Sequence, residues 1–397
     1  MSERRRAYDL HLLYAVLLLV ALGLVMVFSA SQVIARERFS SPFFFMYQHA
    51  IRVAIGLGAL AVFMRVPFTL YRRLAPWILG GSLLLLGAIF VGGTGVRGAT
   101  RWLRIFMFTV QPVEIAKYAL VIFFAAWIAD GRRPLSDLKR GFLPLAGTAV
   151  AMALLVGLQP NISNAALIIA LAMTMLFLGG CRIRYLAAFA GAGLLAAAPI
   201  LARVPHVWER LSIWSNRTRD AQGLGWHVKQ SLIALGSGHV FGVGPGEGHQ
   251  KYSFLPDAHT DFIYSIIGEE LGIIGTAAVL ALFALIFLRA VRIAGRAPNP
   301  FGFLLAAGIG SLLFGGAVIN MAMATGLLPT AGLPLPLVSY GGSSLITSLA
   351  AVGILLNISA RGREKQDGAG PLRARAGGSG LYARRVRRTR GGEGGAR

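Results

Sequence analysis

The sequence predicts an all-α, polytopic integral membrane protein with about ten transmembrane helices. Three observations carry this. Of 397 residues, 55% are hydrophobic and only 14% charged, and the mean hydropathy is +0.65. Apolar runs of about 17–25 residues, the length a helix needs to cross the hydrocarbon core, recur along the chain. No segment shows the alternating pattern of barrel strands, so backbone amides in lipid must find their partners within helices.

The runs centre near Leu18, Leu57, Leu83, Phe123, Met152, Leu171, Leu194, Leu280, Leu313 and Val352. The first follows a basic N-terminus, as a signal peptide would. It is long, however, and SASQVIA is a poor cleavage site, so it reads as an uncleaved span. The fifth and sixth runs are divided only by LQPNISN. Between spans seven and eight lies a long polar segment, residues 202–260, whose Trp208, Trp214, Trp226 and Tyr252 favour the headgroup level. This gives a short N-terminus (1–9), a membrane domain (10–360) and a tail (361–397). The tail, rich in Gly and Arg, is expected to be disordered.

Basic residues set the orientation. With the N-terminus inside, cytoplasmic segments hold Arg4–Arg6, Arg65, Arg72, Arg73, Arg132, Arg133, Lys139, Arg140, Arg182, Arg184, Arg289, Arg292, Arg296 and the tail. That bias predicts both termini in the cytoplasm of a multi-pass protein. Arg97, Arg101 and Arg104 fall outside against the trend, which an anionic ligand would explain. The net charge of +23 is therefore topological, and nucleic acid is not an expected partner. The tail's expected contacts are anionic membrane lipids. The single Cys181 excludes an internal disulfide.

Ionisable residues in or beside apolar runs are the candidates for chemistry, because burying them in lipid is costly. Asp257, His259, Asp261, Glu269 and Glu270 crowd against the eighth span, and Glu114 and Lys117 share one face of the fourth at i, i+3. Arg52 lies within the second span. The glycine-rich GSGHVFGVGPGEG reads as a hinge or as a close backbone approach to a ligand; it is no P-loop. GLLPTAGLPLPLVSYGGSS carries no charge and reads as a shaped re-entrant loop rather than a catalytic element. On the predicted topology these segments share the outer face.

Four of these segments, QPVEIAK, GSGHVFGVGPGEGHQKYSFLP, LPDAHTDFIYSIIGEELG and GLLPTAGLPLPLVSYGGSS, resemble motifs of the SEDS family. The similarity runs from about Leu10 to Ala360, with a matching span count, and is nearer the FtsW branch than the RodA branch. The resemblance implies a ten-span enzyme polymerising lipid II into glycan strands outside the cytoplasmic membrane. A class B penicillin-binding protein and other divisome proteins at the septum are the implied partners. Two departures stand out: Asn161 occupies a position that is commonly acidic, and His239 one that is usually glycine.

The implied chemistry is inverting glycosyl transfer with undecaprenyl pyrophosphate leaving. Asp261 aligns with the family's aspartate in HTDF and is the candidate base, with Glu114 and Lys117 expected to hold and tune it. Arg52, Arg101, Arg210 and Lys251 are candidates for the pyrophosphates by charge and side, and Gln111, His259 and Ser339 for other substrate contacts. A divalent cation (Mg or Mn) could share the neutralisation, although the sequence shows no metal-ligand spacing. The rival readings are a lipid II flippase and a non-catalytic scaffold.

Overall fold

The computed structural model describes residues 8–96, 99–105, 108–203, 210, 212, 214, 224–252 and 254–376. The helices are α1 (Leu10–Phe39), α2 (Phe44–Arg65), α3 (Phe68–Gly92), α4 (Pro112–Asp130), α5 (Leu143–Gly157), α6 (Ile162–Leu178) and α7 (Ile183–Arg203). They continue as α8 (Leu224–Ser237), α9 (Ile263–Gly295), α10 (Pro300–Ala324) and α11 (Gly342–Ala376). Among the described residues, eight helices are long and apolar enough to cross a membrane, and Ile162–Leu178 and the first part of α7 are shorter apolar helices. Each predicted span centre falls in one of these.

Local chemistry starts and stops the helices. Asp9 caps α1 by accepting from Leu12 N at 3.1 Å, and Asn299 caps α10 by accepting from Gly302 N at 2.8 Å. Pro112 and Pro300 stand at first helical positions, where their missing N–H costs nothing. α2 lies along α11, α9 along α10 and α3 along α4, while α1 packs on both α2 and α9.

One end of the bundle is fastened around Asp9. Arg289 donates to both Asp9 carboxylate oxygens, to Oδ1 at 3.1 Å and to Oδ2 at 2.5 Å, and Asp9 N donates to Ser359 Oγ at 3.1 Å. Asn357 at that end accepts from Phe68 N at 3.0 Å and donates to Met64 O at 2.8 Å, pinning the α2–α3 turn.

The opposite end is built differently. A three-stranded antiparallel sheet, β1 (Gly93–Val96), β2 (Ala99–Ile105) and β3 (Phe108–Val110), joins α3 to α4. No alternating pattern announces it, since the strands are short and glycine-interrupted. The glycine-rich segment straps across a break in α9. At Gly272 the helix adopts φ 68°, a left-handed conformation suited to glycine. The backbone groups freed there pair with the strap, Ile273 N to His239 O at 3.0 Å and Val243 N to Glu269 O at 3.0 Å. A side chain at Gly238 or Gly242 would overlap the carbonyls of Gly268 and Glu270.

The tail expectation needs one correction: α11 continues to Ala376, past the boundary set at residue 361. Residues 377–397 lie outside the described residues, as do Arg97, Trp208 and most of 204–223.

Candidate active site

At the end bearing the sheet, a cavity of about 440 Å³ opens between the elements. Arg101 and Trp102 come from β2, Gln111 from the residue before α4, and His227 from α8. Arg210, Asp257 and Asp261, the Thr330–Pro334 segment and Tyr340–Ser344 complete the lining. The long segment between the seventh and eighth spans, the sheet and the proline-rich loop thus converge on one cavity.

The aspartate segment and the proline-rich loop are stitched into one unit. Asn320 of α10 donates to Asp261 O at 2.8 Å and to Leu333 O at 2.7 Å. Ser339 Oγ donates to Thr260 O at 2.6 Å and accepts from Leu335 N at 2.8 Å, and Tyr340 N donates to His259 O at 3.0 Å. Residues in two otherwise irregular segments therefore have backbones held from both sides. Pre-organisation of this kind is what a reacting carboxylate requires. Asn320 is fully buried and escaped the sequence reading. Its signal was a lone amide in an apolar run.

Arginines give the cavity its charge. Arg101 donates to the carbonyls of Gln159 and Pro160, and Arg210 donates to Thr330 O at 3.0 Å. Burial, with the neighbouring Arg210 guanidinium, pulls Arg101 below the ordinary arginine value, and the Asp261 carboxylate opposes that fall. Two guanidiniums held near each other beside a carboxylate form a ready receptor for an anion, whose charge would relieve their repulsion. Arg104 is exposed and lines no part of the cavity.

A second, mainly apolar groove of about 390 Å³ adjoins the first. It runs between α6 and α10, past Ile162, Leu167, Ile319 and Leu328, and shares Arg210 and Thr330 with the charged cavity.

Several predicted site residues fall elsewhere. Lys251 lines neither cavity: it is 1% exposed and pairs with Glu270 at 3.1 Å, with Ser29 Oγ at 3.2 Å and with Gly246 O beside it. Glu270 accepts from Ser29 Oγ at 2.5 Å and from Gly246 N at 3.0 Å, and Glu269 accepts from His249 N at 2.7 Å. These carboxylates staple the glycine-rich strap to α9, so the cluster that looked like one site divides in two. Ser339 is 3% exposed and committed to the loop contacts above. Arg52 lies with its guanidinium 4.3 Å from the Tyr340 ring, and Tyr340 OH donates to Gln48 at 2.6 Å. It props a cavity wall instead of forming one. His259 lies against the Phe45 and Tyr340 rings, with centroids 5.0 and 5.5 Å away.

Glu114 and Lys117 pair at 2.7 Å, as their spacing predicted, but stand behind the cavity. They border a void of only about 20 Å³ that shares Pro334 and Ser344 with it. Lys117 also donates to Asn164 Oδ1 at 3.2 Å, and Asn164 donates to Asn161 Oδ1 at 3.1 Å. Asn161 thus ends a buried polar chain. Among the described residues no group of three or more His, Cys, Asp or Glu is placed to hold a metal ion.

The FtsW/RodA/SpoVE family profile, described as cell cycle protein, matches residues 9–364. A probable peptidoglycan glycosyltransferase FtsW of Geobacter sulfurreducens is 42% identical over 357 residues, covering 89% of this chain and 95% of the relative. Stage V sporulation protein E of Bacillus subtilis is 34% identical over 361 residues, covering 90% and 99%. A solved chain of a peptidoglycan synthase complex that coordinates polymerization and crosslinking superposes with a TM-score of 0.74 at 28% identity, covering 90% of this chain and 98% of that one. The rod shape determining protein RodA of Thermus thermophilus gives 0.66 at 27% identity, covering 90% and 97%. With a family profile matching residues 9–364 and relatives aligned over 89–90% of this chain, the chain belongs to the FtsW/RodA/SpoVE family.

Proposed function

We propose that this chain is a peptidoglycan glycosyltransferase that polymerises lipid II at the outer face of the cytoplasmic membrane, in septal wall synthesis. The observation that carries the reading is the continuity of two unlike spaces. A cavity holding Asp261, Arg101 and Arg210 opens, at Arg210 and Thr330, into an apolar groove. Lipid II has the same division: a sugar and pyrophosphate head on an isoprenoid tail. On this reading the tail lies in the groove between α6 and α10, and the head enters the charged cavity.

Asp261 then serves as the base. Its carboxylate takes the proton of the acceptor sugar hydroxyl as that oxygen attacks the anomeric carbon of the donor, inverting it. The bond to the pyrophosphate oxygen breaks, and the undecaprenyl pyrophosphate departs with the electron pair. Arg101 and Arg210 stabilise the charge that grows on it. Neither arginine needs to donate a proton, because a pyrophosphate is already a good leaving group. Asn320 and Ser339 act through Asp261 by fixing the backbone of its segment.

The end around Asp9, Arg289 and Arg296 faces the cytoplasm on the positive-inside rule, with both termini inside. The relative solved within a synthase complex supports a transpeptidase partner of the class B penicillin-binding type, with other divisome proteins at the septum.

The test is incubation of the purified chain, alone and with that partner, with lipid II, followed by separation of glycan products. Strands of many disaccharides are expected. A chain that moves lipid II between leaflets or only positions other proteins would give none.

A further inference from the structure

At the Asp9 end of the bundle, far along α3 and α4 from the charged cavity, the two helices part to leave a cleft of about 370 Å³. Arg72 and Ala75 of α3, Phe123, Trp127 and Asp130 of α4, and Arg133 just beyond it line this space. The cleft is layered. α4 runs toward this end, so Phe123 lies one turn, about 6 Å, deeper than Trp127. Arg72, Asp130 and Arg133 are at the mouth, and Ala75 and Phe123 form an apolar floor.

Two features stand out beside the mouth. The Trp127 Nε1 group is buried and finds no hydrogen-bond partner, which an N–H group tolerates only at a cost. The Arg133 guanidinium lies 4.4 Å from the centroid of the same indole, so a cation and an unused donor stand together. Arg72 is loosely held. Its Nη2 is 3.5 Å from Asp130 Oδ1, with the two side chains 46% and 44% exposed. The other Asp130 oxygen lies 3.5 Å from Arg132 Nε. One carboxylate is thus shared between two arginines while Arg133 adds a third cation, and the mouth is net positive. A small anion would answer the charge but leave the apolar floor uncovered. An amphiphile answers both.

We propose that this cleft is a binding site for an anionic phospholipid. The phosphodiester accepts hydrogen bonds from Arg72 and Arg133, an ester carbonyl accepts from Trp127 Nε1, and an acyl chain descends past Phe123 and Ala75. Tryptophan at the headgroup level and basic clefts between helices suit such a ligand physically. The site stands apart from the charged cavity and holds whether or not the chain polymerises lipid II. If the arginines served topology alone, the Trp127 N–H would be irrelevant to lipid binding, and any arginine at this end would count equally.

Native mass spectrometry of the full-length, delipidated protein in neutral detergent decides this. It is titrated with phosphatidylglycerol, with phosphatidylcholine of the same chains, and with inorganic phosphate. Phosphatidylglycerol should be retained preferentially as one tightly held molecule, with phosphate failing to compete. The Arg72→Gln, Arg133→Gln double variant should weaken it by about five-fold for each arginine removed. Trp127→Phe should weaken it with both arginines in place, and Arg184→Gln, an exposed arginine on α7 outside the cleft, should not. Equal retention of the two lipids would overturn the proposal, as would equal losses in Arg184→Gln and the double variant. Phosphate binding as tightly as the lipid would make it a soluble-anion site and overturn it equally.

Discussion

Between Lys251 and Gly275 the chain carries two sets of ionisable side chains that are alike in sequence and opposite in situation. Asp257 and Asp261 border an open cavity beside Arg101 and Arg210. Lys251, Glu269 and Glu270 are each 1% exposed, and donors and acceptors of the same chain surround them. The second set repays its burial by folding the glycine-rich strap over the α9 break. The backbone at Thr260 and Asp261 is fixed by Ser339 and Asn320, and Asp257 and Asp261 border a space large enough for a ligand. Charge near a membrane therefore marks two kinds of place. What separates them is whether the charged side chain borders a space large enough for a ligand.

Asp261→Asn offers the sharpest way to break this distinction. The amide keeps the shape but cannot take a proton at neutral pH, so polymerisation should fall by about 10²–10⁴-fold, the usual worth of a general base. Membrane insertion and the thermal unfolding midpoint should stay at wild-type values. Near-normal turnover would remove Asp261 from the base role and the cavity from the chemistry.

Lys251→Met probes the opposite side of the comparison. It leaves the Glu270 carboxylate buried without its cation, and breaking a buried pair by removing one partner costs about 3–5 kcal/mol. Thermal unfolding in detergent should show a large loss, partly recovered when Glu270→Gln is added. A Lys251→Met protein of unchanged stability that has lost only activity would return Lys251 to the substrate site.

The sequence told these cases apart poorly, for physical reasons. Long apolar runs announce helices whatever they pack against, so every span was legible. Lys251 was assigned to the pyrophosphates by charge and side, yet its partner Glu270 lies on the far side of a loop whose path no local pattern reveals. The sheet of residues 93–110 was illegible because its strands are too short to show alternation. Arg101 and Arg210 were named, like Lys251, by charge and side, and these two line the cavity. Asn320 was missed because a single amide in an apolar helix resembles a packing residue until its two acceptors, Asp261 O and Leu333 O, are seen.

The Glu114–Lys117 pair falls between the two classes, since it is buried and paired yet abuts the cavity wall at Pro334 and Ser344. A double-mutant cycle of Glu114→Gln and Lys117→Met, read in both stability and polymerisation, should show a coupling of about 0.5–3 kcal/mol, as neighbours in one network do. If the pair only supports the fold, activity losses will track stability losses. If it tunes Asp261, activity will fall further than stability and the pH profile of polymerisation will move. Strict additivity would show that the 2.7 Å contact carries nothing.

The smallest expected effect belongs to the tail, and it tests whether the two ends of the bundle divide their work. The residues assigned to chemistry lie before Thr347 and at the end bearing the sheet, whereas Gly362 packs against Arg296 at the other. Truncation after Gly362 keeps that contact and removes the basic segment beyond it. Polymerisation by the purified protein should be unchanged, because no described side chain of the cavity depends on what is removed. In cells, placement of the protein is expected to suffer instead, since a polybasic segment supplies many weak contacts to anionic lipid at about 1 kcal/mol per basic residue. A truncated protein that is folded, with a normal unfolding midpoint, yet makes no glycan would show the tail reporting across the bilayer to Asp261. The separation between a closed, folding end and an open, reacting end would then have to be given up.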